Sequence, residues 1–88
     1  MFEKRVTIKN QLGLHARPAA LLVRTAEKFK SNIFVVKGDL EVNGKSIMGV
    51  MMLAAEMGSQ ITIRAEGEDE KEAVEAIASV VEDKFYEE

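Results

Sequence analysis

His15, Arg17 and Pro18 place an imidazole, a guanidinium and a proline side by side in the run Gly13-Leu14-His15-Ala16-Arg17-Pro18-Ala19-Ala20. His15 is the only histidine of the chain and Pro18 its only proline. Proline is tolerated without cost only in the first turn of a helix, so Pro18 sets a helix start at His15 to Arg17. The N–H groups of a first turn lack backbone partners, and that helix end carries partial positive charge. Both effects favour a bound anion such as phosphate. The same positive end favours a neutral imidazole, whose free lone pair is a nucleophile. Arg17 adds a permanent charge in a fork that matches phosphate oxygens, and Gly13 lets the loop come close. These residues suit reversible phosphorylation of a ring nitrogen of His15. By spacing alone, a solvated or N-capping histidine is an equal reading. A metal site has no Cys or second His to complete it, and no serine stands in a nucleophile-elbow context.

A second group of residues follows at Asn43-Gly44-Lys45-Ser46. Ser46 stands where a helix N-cap belongs, ahead of the apolar residues Ile47, Met48, Val50, Met51, Met52 and Leu53. A nucleotide-binding P-loop is excluded, because Asp39 occupies the position that needs glycine. Ile47, Met48, Met51 and Met52 cannot all face the core from so short a helix. Either they are core with one methionine left over, or they form a docking patch, to which flexible, polarisable thioethers are suited. On the first helix Arg17, Leu21, Arg24 and Lys28 share one face, opposite in character to the core stripe. That face is either simply solvated or a basic flank to the patch.

The elements that must position these groups show in the periodicity. Residues 2–8 alternate, with Phe2, Val6 and Ile8 on one side and Lys4 as the polar exception. The loop 10–13 leads into a helix over 16–29, whose buried stripe is Ala19, Leu22, Val23, Ala26 and Phe29. The β-branched run 33–37, the turn Lys37-Gly38-Asp39 and the pair Leu40 and Val42 make a hairpin. After the short helix, Met57-Gly58-Ser59 turns the chain into a strand over 60–66 with Ile61, Ile63 and Ala65 on one side. The last helix runs over 69–85, with Asp69, Glu70 and Glu72 at its positive end and Val74, Ile77, Ala78, Val81 and Phe85 as its stripe. The charged tail Tyr86-Glu87-Glu88 is expected to fray. The order is βαββαβα, an α+β arrangement. Strands with one wet face suit an antiparallel sheet covered on one side.

Composition narrows the function. Eighty-eight residues make one domain, 1–88. A chain of this size buries roughly 60% of its unfolded surface, which supports one sheet and one helix layer but no deep cleft. The net charge is -3, from 12 basic and 15 acidic residues, which argues against nucleic acid. A βαββαβ RNA-binding domain would carry aromatics on a reading strand, whereas Phe2, Phe29, Phe34, Phe85 and Tyr86 form no such motif. There is no cysteine, hence no disulfide framework. Phe2-Glu3-Lys4-Arg5 leads into alternation and not into a signal-peptide core, and no apolar run approaches a membrane span. A soluble, cytoplasmic protein is expected.

Gly13-Leu14-His15-Ala16-Arg17-Pro18-Ala19 resembles the active-site signature of HPr, the histidine-containing phosphocarrier family of the bacterial sugar phosphotransferase system. Lys45-Ser46-Ile47-Met48-Gly49-Val50-Met51 is similar to that family's second signature. The two motifs, their separation and the element order match over essentially the whole chain. The resemblance implies an open-faced β-sandwich, a four-stranded antiparallel sheet with three helices on one face. It implies that His15 accepts phosphate through Nδ1 from phosphorylated enzyme I and passes it to IIA domains of sugar permeases. Arg17 steadies the phosphoryl group, and no cofactor or metal is needed. Ala16, Ala20, Leu21 and Arg24, with Ile47, Met48, Met51 and Met52, are the expected partner-binding residues. In low-GC Gram-positive members of the Gram-positive-like type, the serine at Ser46 is phosphorylated by an HPr kinase/phosphorylase, and that form binds a catabolite-control repressor. A monomer is implied. The alternatives are a nitrogen-branch or regulatory paralogue and, from another class, a plain protein-interaction module with an inert histidine. The presence of His15 sets the chain apart from HPr-like regulators that keep only the serine.

Overall fold

The computed structural model describes residues 1–87. Its elements are β1 (Phe2–Thr7), α1 (Ala16–Ala26), β2 (Asn32–Lys37), β3 (Leu40–Asn43), α2 (Ile47–Met52), β4 (Gln60–Glu66) and α3 (Glu70–Glu82), followed by a short 3-10 turn at Lys84–Tyr86. The strands form one antiparallel sheet in the order β1-β4-β2-β3. In the register, Val6 lies opposite Ile61, Val35 opposite Ile63, and Ile33 opposite Ala65. These residues are buried, and they share one core with the apolar stripes of α1 and α3. The other face carries Glu3, Arg5, Glu41, Thr62 and Arg64, all exposed or half-buried. One face is therefore dry and covered by helices, as the alternation predicts. This is the open-faced βαββαβα sandwich.

The helices follow from their sequences. α1 buries Pro18, Ala19, Leu22, Val23 and Ala26, and α3 buries Ala73, Val74, Ile77, Ala78, Val80 and Val81. Each fully buried branched side chain, such as Leu22, Ile63 or Ile77, contributes about 2 kcal/mol relative to exposure. Thr25, buried within α1, donates its hydroxyl to the Leu21 carbonyl at 2.9 Å and so leaves no polar group unsatisfied there.

Asp69 ties the two helical ends of the sandwich together. Its carboxylate accepts from the Ser31 hydroxyl and from the N–H groups of Lys30 at 2.9 Å and Ser31 at 3.0 Å. These donors hold the Asp69 carboxyl at about 2, the Ser31 hydroxyl having the largest effect and the Lys30 N–H the next. Across the same turn Glu70 accepts from Gly67 N–H at 3.1 Å and pairs with the N-terminal ammonium at 2.9 Å.

The structure shifts several expected boundaries. The first strand closes at Thr7, although Ile8 still exchanges hydrogen bonds with Ser59 and Gly58 at 2.8 Å. α1 ends at Ala26 and not at 29; residues 27–30 unwind through turns, and Phe29 is half-buried outside the helix. α3 ends at Glu82, so Phe85 is not part of a continuous stripe. The chain instead makes a left-handed turn, with φ of 59° at Lys84, 54° at Phe85 and 61° at Tyr86. Such backbone costs side-chain-bearing residues roughly 1–2 kcal/mol each. Burial of the Phe85 ring, 3% exposed, and the N–H groups of Tyr86 and Glu87 bonding back to Asp83 and Lys84 offset it. The expectation of a frayed tail is therefore wrong for Tyr86 and Glu87, while Glu88 lies outside the described residues.

Candidate functional site

His15 is the N-cap residue of α1, in an extended conformation with φ -78° and ψ -172°, and its side chain makes no capping hydrogen bond. Its carbonyl starts the helix by accepting from Ala19 N–H at 3.0 Å. Pro18 sits in the first turn, where a missing N–H breaks no helical bond. The imidazole thus sits at the N-terminal end of the helix and makes no capping bond to its backbone. Its side chain is 37% exposed. No hydrogen bond among the described residues engages Nδ1.

The loop before His15 is pinned on both sides. Gly13 adopts φ +69°, and Leu14 N–H bonds to the Ala55 carbonyl at 2.9 Å. Below it lies Asn10, which is fully buried. Asn10 Nδ2 donates to the Gly13 carbonyl at 2.7 Å and to Glu87 Oε1 at 3.1 Å. The other oxygen of that carboxylate, Glu87 Oε2, lies 3.2 Å from His15 Nε2. Nε2 is itself buried and off the line of a well-directed hydrogen bond, so the two groups meet by proximity.

Arg17 is exposed at the second helical position and takes part in no ion pair among the described residues. An unpaired guanidinium beside a helix N-terminus is available to an incoming anion. Further along α1, Ala16 and Arg24 are exposed, and Ala20 and Leu21 are half-buried. The basic face is solvated as far as Lys28.

Ser46 is the N-cap of α2, and its hydroxyl accepts from Gly49 N–H at 3.0 Å. Lys45 reaches across to the turn that follows α1, where Nζ donates to the Phe29 carbonyl at 2.8 Å. In α2 only Val50 is buried. Leu53, just beyond it, is also core. Met48 is 74% exposed, Met52 65%, and Ile47 and Met51 42% each. The reading in which these residues are core with one methionine left over is thus incorrect, because a six-residue helix has room for one inward position and Val50 fills it. α1 and α2 pack against each other, so the exposed residues of both lie on neighbouring helices.

Sequence reasoning passed over Asn10 and Glu87 as site residues. Asn10 was a loop residue and Glu87 part of a charged tail, and neither period nor motif links positions so far apart.

A half-exposed imidazole at a helix N-terminus, carried by an open-faced sandwich with an unpaired arginine beside it, is an arrangement suited to a domain that presents histidine to other proteins. Comparison with known proteins agrees. The family described as "PTS HPr component phosphorylation site" matches residues 2–83. The phosphocarrier protein HPr of Xylella fastidiosa (strain Temecula1) is 49% identical over 87 residues, covering 99% of this chain and 98% of that protein. The HPr-like protein Crh of Halalkalibacterium halodurans is 52% identical over 82 residues, covering 93% and 98%. Among solved structures, HPr-C-His from Thermoanaerobacter tengcongensis superposes with a TM-score of 0.96 at 52% identity, covering 100% of this chain and 99% of that one. The chain belongs to the HPr family of the phosphotransferase system, whose members are phosphocarrier proteins and not enzymes. No helix among the described residues is long and apolar enough to cross a membrane.

Proposed function

We propose that this protein takes a phosphoryl group onto His15 Nδ1 from phosphorylated enzyme I and passes it to IIA domains of sugar permeases, working in the cytoplasm. The observation that carries this reading is the His15 ring, over a third exposed at the start of α1, with Nδ1 engaged by no described residue. The lone pair on Nδ1 attacks phosphorus as the donor's P–N bond breaks, and the electron pair of that bond stays on the donor nitrogen. Arg17 and the first-turn N–H groups offset the charge on the phosphoryl oxygens. The exposed Ile47, Met48, Met51 and Met52, with Ala16, Ala20, Leu21 and Arg24, form the docking surface around the ring. A flexible thioether patch suits a carrier that must accept several partners in turn. Each chain holds His15, Arg17 and Ser46 on its own, which supports a carrier that works as a monomer.

Ser46 is the second phosphorylation site of this reading, addressed by HPr kinase/phosphorylase, with a catabolite-control repressor as partner of the phosphorylated form. A phosphate at the N-terminus of α2 is tolerated by the helix, but its roughly two negative charges weaken docking of an acidic or apolar surface. The alternative, a regulatory paralogue, rests on the likeness to the HPr-like protein Crh. His15 favours the carrier.

The test is intact-mass spectrometry after incubation with phosphoenolpyruvate, magnesium and catalytic enzyme I, with His15→Ala as control. One acid-labile phosphoryl group, absent from the variant, is the expected outcome. No addition to a folded chain by an active enzyme I leaves the regulatory reading.

A further inference from the structure

The site holds one arrangement that the carrier reading does not use. Glu87 is brought to the His15 ring by a turn of three consecutive left-handed residues, Lys84, Phe85 and Tyr86. Its carboxylate is gripped from below by Asn10, a fully buried amide that also fixes the Gly13 carbonyl just ahead of His15. Strained backbone of this kind persists only where the surroundings hold it, and it gathers at functional positions. The outcome is a carboxylate 3.2 Å from one particular ring nitrogen, Nε2, which is also the buried one.

We propose that Glu87, anchored on Asn10, is a positioning residue that pins the His15 ring through Nε2 and so reserves Nδ1 for the phosphoryl group. This rests on the carrier reading for its consequence, though the pinning itself is a property of the unphosphorylated chain. A neutral imidazole carries its proton on one nitrogen and its lone pair on the other, and a carboxylate beside Nε2 selects the form protonated there. The lone pair then lies on Nδ1. During transfer, the new N–P bond forms at Nδ1 while the Nε2 proton stays on the ring, facing Glu87. The ring gains positive character as its lone pair is shared with phosphorus, and the carboxylate offsets it. Without Glu87 the ring is free to present either nitrogen.

Glu87 lies outside the hydrophobic core, so Glu87→Ala leaves the fold intact, whereas Asn10→Ala opens a buried site. The first measurement is the ¹⁵N spectrum of the His15 ring at a pH where it is neutral. The native chain gives the Nε2–H form alone; Glu87→Ala gives both forms; Glu87→Gln, whose amide oxygen still accepts, restores the native pattern. The second uses phosphoramidate, a small phosphoryl donor that needs no partner protein. Native chain is labelled on Nδ1, and Glu87→Ala acquires label on Nε2 as well. With enzyme I, kcat of Glu87→Ala falls about 10-fold, in line with loss of a residue that orients a reacting group, and KM is unchanged. Native ring spectra and native labelling in Glu87→Ala overturn the proposal even if enzyme I phosphorylates both chains. If enzyme I phosphorylates neither while the ring spectra differ as described, the carrier reading fails and the pinning stands.

Discussion

Gly13 stands against the backbone of Ala55 so closely that a Cβ on Gly13 would collide with the Ala55 oxygen. The same carbonyl accepts from Leu14 N–H at 2.9 Å. The loop that carries His15 is therefore seated on the segment that follows α2, backbone on backbone. Gly13→Ala meets both a left-handed φ of 69° and this clash. It destabilises the fold by about 3 kcal/mol, read as a lower urea midpoint at unchanged m. It also slows phosphoryl uptake in the fraction that remains folded, since His15 moves with the loop. A loss below about 1 kcal/mol would mean that the Ala55 segment yields, and the seating would not be what places His15.

α2 separates packing from docking along six residues. Val50 is fully buried, whereas Met48 is 74% exposed. Val50→Ala costs about 2 kcal/mol of stability through the cavity it leaves. Met48→Ala stays within about 0.5 kcal/mol of the native chain. Met48→Asp and Arg24→Glu, both at exposed positions, raise KM for enzyme I with the melting temperature unchanged. If both leave transfer untouched, the partner surface lies elsewhere.

Most of the fold was legible because the alternation is strict. In β4, Ile61, Ile63 and Ala65 are all buried, and the strand runs over the expected residues. Pro18 likewise fixed the start of α1, and Ser46 the start of α2, since a missing donor and a side-chain acceptor each have few places to go. The ends of helices were less legible. Phe85 falls on the helical period of α3, yet it reaches the core through a left-handed turn, because burial of the ring sets where the chain goes and not the hydrogen bonds of the helix. His15 and Arg17 are local in sequence and could be found there. Asn10 and Glu87 lie 77 residues apart in the chain and meet only through the fold, and no local pattern encodes that meeting.

Ser46 tests capping against charge. Ser46→Ala removes the acceptor for Gly49 N–H and costs about 1 kcal/mol. It leaves uptake from enzyme I at the native rate, because the hydroxyl touches Gly49 and no described atom of His15. Ser46→Asp keeps an acceptor at the cap, so it is more stable than Ser46→Ala, yet it slows uptake by placing negative charge beside the methionine patch. Paired thermal melts and transfer rates check both halves. Equal rates in all three proteins would remove charge at Ser46 as a brake on docking.

Asp69 makes the chain sensitive to acid within a defined window. Its carboxyl is held at about 2 in the folded protein, well below the ordinary carboxylate range, chiefly by the Ser31 hydroxyl and the Lys30 N–H. A group whose folded value is depressed adds stability above its unfolded value and loses it as pH falls toward the folded one. The contribution is therefore complete above about pH 4 and declines on the way to about pH 2. Glu70, lowered by Gly67 N–H and the N-terminal ammonium, acts in the same direction. Asp69→Ala removes the acceptor for three donors of Lys30 and Ser31 and so lowers stability at neutral pH. Urea unfolding from pH 7 down to pH 2 gives the check. The gap between native chain and Asp69→Ala stays constant at the upper end and narrows across the window. A gap that is flat down to pH 2 would mean that the Asp69 charge has no part in holding α3 to the α1–β2 turn.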